Sequence, residues 1–213
     1  MGRNMSRTWY TSDWHLGHVN ILTHCPARRE FLGLSATADV NDMNDALVAL
    51  WNSQVAPDDT VWVVGDMCMG KVQETIKHVA RLNGTKYLVL GNHDRPHPVA
   101  TRSPEKRAEW EHIYGEYFED MVLSVDLNFD GLDIEVNHFP FPGNDHVTGG
   151  ERYNSRDIEE WSPIDKGRPL VHGHVHDLYM TRGRMFNLGL DAWHRMITAE
   201  EIATYFRDHG YAN

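Results

Sequence analysis

Hydrophobic residues occur in short runs along the chain, and each run ends in a cluster of polar residues. Five of these runs are rich in Val, Leu, Trp and Tyr, and their length and composition favour β-strands over helices. Residues 121–129 and 185–190 are predicted to form further strands. The polar clusters that follow the five runs contain Asp13 and His15, Asp66, Asn92 and His93, His138, and His174 and His176.

Between these runs lie four segments with helical patterns, the clearest of which repeat apolar residues every three or four positions. Asp39 or Asn41 is the expected N-cap of the first helix, and Ser103 before Pro104 is expected to start the third. The last segment opens on the Thr-Ala-Glu-Glu of a capping box. The predicted helices span residues 39–55, 72–82, 103–114 and 198–207.

The order of these elements predicts an α/β protein with a mixed sheet, because strands alternate with helices early and follow one another more closely later. The 213 residues fit one domain, residues 1–213, with a single sizeable core, and no repeat or low-complexity run divides them. The segments 95–102 and 141–166 have no clear pattern. Because both follow candidate site residues, we expect them to be loops that face the substrate.

Composition narrows the class of partner. The net charge of −11 disfavours binding to extended nucleic acid, although bound cations can reverse the field locally for a small phosphorylated substrate. No apolar run is long enough to span a membrane, and the first residues lack the apolar stretch of a secretion signal. Cys25 and Cys68 lack metal-type spacing and are expected to be reduced thiols. We therefore expect a cytoplasmic protein without membrane partners.

Each polar cluster taken alone has an ordinary interpretation. Alternation along an extended chain places Asp13 and His15 on the same side, where they could share a cation, but Asp-x-His sequences are common and usually solvated. Asp66 after Gly65 is typical of a turn or a helix cap. The segment 91–94 is typical of a polar turn.

The position of the clusters changes that interpretation. His138 alone is more often structural, whereas His174 and His176, two residues apart, can converge on one centre or on two adjacent ones. All five clusters follow the carboxyl ends of predicted strands, where open α/β sheets gather their ligands. If each cluster were only a turn or a helix cap, five unrelated features would all have to fall at strand ends by coincidence. The sequence therefore predicts a shared metal site.

The combined pattern resembles that of the calcineurin-like metallophosphoesterase family. Asp-x-His, Gly-Asp, Gly-Asn-His-Asp, a single His and Gly-His-x-His occur in the family's order over residues 13–176, most of the chain. The resemblance implies two packed mixed β-sheets flanked by helices, a four-layer α/β/β/α sandwich. It also implies a first metal held by Asp13, His15 and His176, a second held by Asn92, His138 and His174, and Asp66 bridging the two.

The resemblance further implies a mechanism, in which a hydroxide bridging the two metals attacks a phosphodiester and His93 acts as the general acid. Carboxylate, amide and imidazole ligands suit borderline divalent ions, with Mn²⁺ expected first and Fe²⁺, Co²⁺, Zn²⁺ or Ni²⁺ as alternatives. Arg95 and His18 are candidate substrate contacts. The ordinary alternatives are an exposed arginine after a turn and a histidine that supports His15.

Departures from the family pattern narrow the substrate class. Residues 65–71 lack the Asp and Arg that follow Gly-Asp in protein Ser/Thr phosphatases, which disfavours a phosphoprotein phosphatase. The opening residues 11–21 resemble a bacterial and phage branch of small phosphodiesterases, including a mycobacteriophage-type enzyme for 2′,3′-cyclic nucleotides. We therefore expect a small phosphodiester substrate. A nuclease and a phosphomonoesterase of the same family are the alternatives, and a non-enzymatic scaffold is disfavoured because all seven ligands are retained.

Overall fold

Two five-stranded mixed β-sheets form the centre of the computed structural model, which describes residues 6–144 and 159–211. The strands in chain order are β1 Thr8–Thr11, β2 Thr60–Val63, β3 Thr85–Val89, β4 Asp120–Val122, β5 Ser124–Phe129, β6 Leu132–Asn137, β7 Leu170–His172, β8 Thr181–Arg182, β9 Met185–Asn187 and β10 Ile197–Thr198. The first sheet has the order β10-β1-β2-β3-β4, and the second has the order β5-β6-β7-β9-β8. The predicted fold class is confirmed.

The parallel parts of each sheet decide where the loops gather. In the first sheet β1, β2, β3 and β4 are mutually parallel, and β10 is antiparallel to β1. In the second sheet β6, β7 and β9 are parallel, while β5 and β8 pair antiparallel at the two edges. The loops that follow the parallel strands of one sheet therefore emerge at the same edge of that sheet.

The helices flank the sheets and close the cores. In chain order they are α1 Ile21–His24, α2 Ala27–Phe31, α3 Val40–Gln54, α4 Val72–Thr75 with a 3₁₀ helix Ile76–Arg81, α5 Pro104–Tyr114, α6 Leu190–Trp193 and α7 Ala199–Asp208. Alternating residues of β2 show why two cores form. Val61 and Val63 are buried with the α3 residues Leu47 and Trp51. Trp62 packs on the other side, against the core between the two sheets.

The core between the sheets also holds the last helix. Tyr10 and Val89 from the first sheet pack with Ile134 from the second, and Ile202 and Phe206 of α7 complete this core. The helix is strongly amphipathic, since its buried residues recur at spacings of three and four. It therefore helps to hold the two sheets together.

Most predicted helices are confirmed, with local differences at their ends. Asp39 rather than Asn41 caps α3, because its carboxylate accepts hydrogen bonds from the backbone N–H groups of Asn41 and Asp42. The side chain of Asp42 in turn accepts a hydrogen bond from the backbone N–H of Asp39, which completes a capping box. Ser103 caps α5 and Thr198 caps α7, as expected. The continuous helix predicted over residues 72–82 is wrong in its second half, which tightens into a 3₁₀ helix.

Two strand predictions are corrected. Residues 121–129 form two strands, β4 in the first sheet and β5 in the second, with Leu123 exposed between them. The two strands follow each other directly in one apolar-rich run, and such a run carries no information about which sheet a strand joins. The strand predicted over residues 185–190 ends at Asn187, and α6 begins at Leu190.

Two further sequence-based expectations concern cysteines and membranes. Cys25 and Cys68 are both buried free thiols. Across the described part of the chain, no helix combines the length and the apolarity that crossing a bilayer requires. Of the predicted loop 141–166, residues 145–158 lie outside the described part of the chain.

Candidate metal centre

Five loops from both sheets meet at one place, and they carry all seven predicted metal ligands. In the first sheet the loops follow β1, β2 and β3, and in the second they follow β6 and β7. Each loop leaves the carboxyl end of a parallel strand, which is the arrangement that the sequence pattern predicted. The ligand candidates are Asp13, His15, Asp66, Asn92, His138, His174 and His176.

Asp66 lies at the middle of this centre and is almost fully buried. Its Oδ2 atom is 3.6 Å from Nε2 of His15, 3.9 Å from Nε2 of His93 and 3.5 Å from Nε2 of His138. Its other oxygen, Oδ1, accepts a hydrogen bond from the backbone N–H of His93 at 2.9 Å. One carboxylate thus faces imidazoles that come from three separate loops.

Three candidate ligands form one group close to Asp66. Ligand atoms of Asp13, His15 and His176 all lie within 4.8 Å of one another. The His15 and His176 rings stack with their centroids 4.9 Å apart. Asp13 is fully buried, and its carboxylate accepts the backbone N–H of His174 at 3.0 Å. These are the three residues that the family resemblance assigns to a first metal.

A second group surrounds the side-chain oxygen of Asn92. This Oδ1 atom is 3.1 Å from Nε2 of His138 and 3.1 Å from Nδ1 of His174. A hydrogen bond fixes the orientation of the His138 ring, because Nδ1 donates to the carbonyl of Val64 at 2.8 Å. Its Nε2 therefore points towards Asp66 and Asn92. Together with Asp66, these residues are the ones that the resemblance assigns to a second metal.

The backbone at the centre adopts a conformation that is uncommon for residues with side chains. Left-handed φ values occur at five candidate ligands, namely Asp13 (59°), His15 (50°), Asp66 (55°), His174 (71°) and His176 (50°). Such values cost free energy and concentrate at functional sites. They also correct one prediction, since Asp13 and His15 do not alternate along an extended strand. Strand β1 ends at Thr11, and left-handed turns after it bring the two side chains together.

Two glycines are required because neighbouring groups approach their Cα atoms closely. A Cβ at Gly91 would lie 2.3 Å from Oδ1 of Asp66. A Cβ at Gly173 would lie 1.9 Å from Oγ of Ser12 and 2.8 Å from Oδ2 of Asp13. All three distances are below van der Waals contact, so any side chain there would displace a candidate ligand or its support. This explains why glycine precedes Asn92 and His174.

Asp94 holds two of the loops together. Its carboxylate, which is fully buried, accepts the backbone N–H groups of Asp66, Met67 and Gly91 at 2.8, 3.0 and 2.8 Å. Burial and the nearby charge of Asp66 raise the pKa of Asp94 to about 7. These contacts orient the loop that carries Asp66.

Arg28 and Asp191, neither of which was among the residues predicted from the sequence, form a buried ion pair that supports the first group. Nε and Nη2 of Arg28 donate to Asp191 at 2.8 and 2.7 Å, and other bonds of the guanidinium reach the carbonyls of Asp13 and Trp14. Asp191 also accepts from Nδ1 of His176 at 2.7 Å. Asp191 could have been found, because it too follows the end of a strand, β9. The sequence contains no comparable signal for Arg28.

The charges at the centre favour a cation beside Asp66. Burial opposes protonation of His138, but the carboxylates of Asp66 and Asp13 outweigh it and raise the pKa of His138 to about 9. Burial would raise the pKa of Asp66, yet the charges of His138 and His93 hold it well below its usual range. Positive charge next to this carboxylate is therefore stabilised.

The chemistry of the donor atoms fits divalent metal ions. Both ring nitrogens of His15 are buried and have no hydrogen-bond partner among the described residues. A buried polar atom left in this way costs roughly 1–3 kcal/mol, a cost that a bound cation removes. Carboxylate, amide and imidazole donors without a thiolate suit borderline divalent ions. The histidine and aspartate clusters thus suggest divalent metal ions without identifying the metal.

The remaining predicted site residues lie around this centre. The side chain of His93 is 32% exposed and lines a cavity of about 420 Å³ together with Asn92 and Arg95. The ring centroid of His18 is 5.5 Å from that of His15. Burial and nearby cationic groups, His93 first among them, lower the pKa of His18 to about 4. The contact of His18 with the centre is the one between its ring and the ring of His15.

Comparisons with known proteins give a matching family model and two similar phage proteins. A family model described as calcineurin-like phosphoesterase matches residues 6–178. The Gene 66 protein of Mycobacterium phage D29 is 33% identical over 214 residues, covering 96% of this chain and 98% of the phage protein. The Gene 66 protein of Mycobacterium phage L5 is 32% identical over 208 residues, covering 93% of each. Neither name states an activity.

A solved structure has a similar fold. The protein of unknown function AQ665 from Aquifex aeolicus superposes with a TM-score of 0.61 and 21% sequence identity. The superposition covers 94% of this chain and 99% of that protein. At this level of identity the similarity concerns the fold alone.

Proposed function

The chain belongs to the calcineurin-like phosphoesterase family, and from this premise we propose that it is a dinuclear metal-dependent phosphodiesterase. The observation that carries the proposal is the position of Asp66, whose Oδ2 lies 3.5–3.9 Å from imidazole nitrogens of His15, His93 and His138. A carboxylate surrounded in this way can bridge two cations. Mn²⁺ is the metal we expect first.

The residues divide into two ligand groups that share Asp66. In the proposal Asp13, His15 and His176 hold one cation, and Asn92, His138 and His174 hold the other. When bound, the two cations neutralise charge on a phosphoryl group and make water a stronger nucleophile at neutral pH. The protein contributes the fixed orientation of the ligands. Asp191 fixes His176, the Val64 carbonyl fixes His138, and Asp94 fixes the loop that carries Asp66.

His93 is the proposed general acid. A water oxygen forms the new bond to phosphorus and a proton of that water is released to solvent, the bond to the leaving oxygen breaks, and Nε2 of protonated His93 gives its proton to that oxygen. Two observations support this role: the partial exposure of the His93 side chain and its position on the wall of the cavity next to Asn92. Its backbone N–H bond to Asp66 keeps the imidazole beside the metal ligands.

The proposed substrate is a small phosphodiester, with 2′,3′-cyclic nucleotides first. The cavity of about 420 Å³ beside His93 suits a small molecule. The net charge of −11 argues against binding an extended nucleic acid. Extended nucleic acid and phosphomonoesters remain the substrates of the alternative functions.

A substrate panel tests the proposal. With Mn²⁺ added, we expect turnover of 2′,3′-cyclic nucleotides and of bis(4-nitrophenyl) phosphate, and weak or no turnover of 4-nitrophenyl phosphate. Hydrolysis of the monoester alone would refute the phosphodiesterase.

His93→Ala should retain metal but lose about 10²–10⁴-fold in kcat with a poor leaving group. Undiminished turnover by that variant would remove the general-acid role.

A further inference from the structure

A cleft leads away from the candidate metal centre, and Arg95 lies where its two parts meet. Arg95 lines the cavity of about 420 Å³ that also contains Asn92 and His93. It also lines a neighbouring cavity of about 370 Å³, whose wall includes Lys71 and Trp110. A substrate whose reacting phosphate lies at the centre can therefore extend its other end past Arg95.

The guanidinium of Arg95 makes no ion pair with a carboxylate in residues 6–144 and 159–211. It lies over the ring of Trp110, 5.9 Å from the ring centroid, so the indole limits its motion and covers one face. Many other arginines of this acidic chain are paired, and these pairs are Arg81–Asp45, Arg168–Asp126, Arg184–Asp165, Arg195–Glu201 and Arg207–Asp130. Arg95 thus keeps donors available in the cleft.

The other charged groups of the cleft compensate one another. Nζ of Lys71 lies 3.8 Å from a carboxylate oxygen of Glu74, and both side chains are mostly exposed at the rim. Arg95 is therefore the uncompensated charge among the described residues that line the second cavity. A half-buried arginine with free donors is suited to bind a phosphate or a carboxylate.

We propose that Arg95 binds a second anionic group, carried by the part of the substrate that is not hydrolysed. The substrate class is then a phosphodiester with an additional phosphate or carboxylate. This inference rests on the proposed function, because the metal centre must hold the reacting phosphate for the other end to reach Arg95. Trp110 is a positioning residue in this account, since it restrains the guanidinium.

Binding of two matched nucleotides tests the inference. Calorimetry on the Mn²⁺-loaded protein compares adenosine 3′-phosphate with adenosine 3′,5′-bisphosphate, which differ only in the second anionic group. We expect the bisphosphate to bind about tenfold to one-hundredfold more tightly, the range of a charge-assisted hydrogen bond. Arg95→Gln should abolish the difference by weakening the bisphosphate alone, and Arg95→Lys should restore part of it.

Lys71→Gln is the matched control, because it also removes one positive charge from the cleft but from an exposed pair. It should leave the affinity ratio nearly unchanged. Equal affinity of the wild type for the two nucleotides, or a ratio that persists in Arg95→Gln, would overturn the inference. Turnover of bis(4-nitrophenyl) phosphate by the same preparations reports on the proposed function separately. Failure of the hydrolase and failure of the subsite are therefore distinguishable.

Discussion

At the scale of single residues, the candidate ligands depend on buried partners that do not face the cavity. His176 illustrates this, because its Nδ1 donates to Asp191, whose carboxylate is held by both Nε and Nη2 of Arg28. The same guanidinium bonds the carbonyl of Asp13. One ion pair thus orders two of the three ligands in the first group. We expect its removal to lower the affinity of the protein for metal.

We expect Asp191→Asn to lower Mn²⁺ affinity by about 10–100-fold, the usual effect of removing a carboxylate that orients a ligating histidine. The amide no longer accepts from both His176 and the guanidinium of Arg28. Electron paramagnetic resonance of free Mn²⁺ during a titration measures the change. Asp208→Asn, at an exposed position of α7, is the control and should bind Mn²⁺ as the wild type does. Unchanged affinity in Asp191→Asn would argue against the orienting role.

A buried histidine outside the ligand groups should make stability depend on pH. Burial, with a further contribution from the charge of His138, lowers the pKa of His97 from 6.5 to about 4. Between these values the unfolded chain binds a proton that the folded protein excludes. The stability that the neutral ring contributes is therefore fully present above pH 6.5 and is lost as the pH falls to about 4.

His97→Asn should reduce this acid-induced loss by roughly 3 kcal/mol, at about 1.4 kcal/mol for each unit of the lowered pKa. The amide oxygen can still accept from Val99 N–H, which bonds Nδ1 of His97 at 3.1 Å. Urea unfolding at several pH values, with chelator present, measures the difference from the wild type. His112→Asn, an exposed histidine on α5, should not alter the slope. Parallel pH profiles for wild type and His97→Asn would contradict the assignment.

At the scale of elements, the capping box of α7 is a local sequence feature that sets the start of a helix packed in the core between the sheets. The Thr198 hydroxyl accepts the backbone N–H of Glu201, whose carboxylate accepts the N–H of Thr198 at 2.9 Å. Thr198 also belongs to β10, which pairs with β1. The cap therefore fixes where the strand ends and where the helix begins to bury Ile202 and Phe206.

Thr198→Ala should destabilise the protein by about 1 kcal/mol, because the first turn of α7 loses a hydrogen-bond acceptor. Thr204→Ala is the matched control, since it is the same substitution at an exposed position within the same helix. Alanine has the higher helix propensity there, so no loss is expected. Denaturant unfolding of the three proteins gives the comparison. Equal stability of Thr198→Ala and Thr204→Ala would show that the cap contributes nothing.

At the scale of the whole molecule, the candidate ligands connect the two sheets. Asp13, Asp66 and Asn92 extend from the first sheet, whereas His138 and His174 extend from the second. Cations that bind both sets hold the sheets together in the folded state only. Metal binding should therefore appear as global stability rather than as a local effect.

Mn²⁺ at one hundred times its dissociation constant should add about 2.7 kcal/mol for each independent site. For a chain of this size, one such site corresponds to a rise in Tm of roughly 5–10 °C. Calorimetric melting with Mn²⁺ and with chelator measures the shift, and Asp66→Asn should lose most of it. A Tm that does not respond to metal would be incompatible with ligands that span the two sheets.

The sequence by itself determined which residues could meet. Parallel strands place their carboxyl ends at one edge, so polar clusters after successive buried strands are brought together whatever their separation along the chain. The polar clusters and the α/β fold class follow from that pattern, the capped helices follow from local capping chemistry, and the choice of the seven candidate ligands follows from the family resemblance. Asp13 and Asn92, which both follow strands of the first sheet, are 79 residues apart in sequence, yet the pattern alone indicated a common site.

Only the tertiary structure decided how those residues are held. Asp13 and His15 adopt left-handed backbone conformations where loops from different strands pack together. The conformational preferences of the residues themselves do not predict these conformations. Arg28 and Asp191 are 163 positions apart, and an ion pair over that distance leaves no periodic trace. The division of residues 121–129 between two sheets likewise depends on partner strands. Alternation reports which face of a strand is buried, whereas the identity of its neighbour is set by packing of the whole chain.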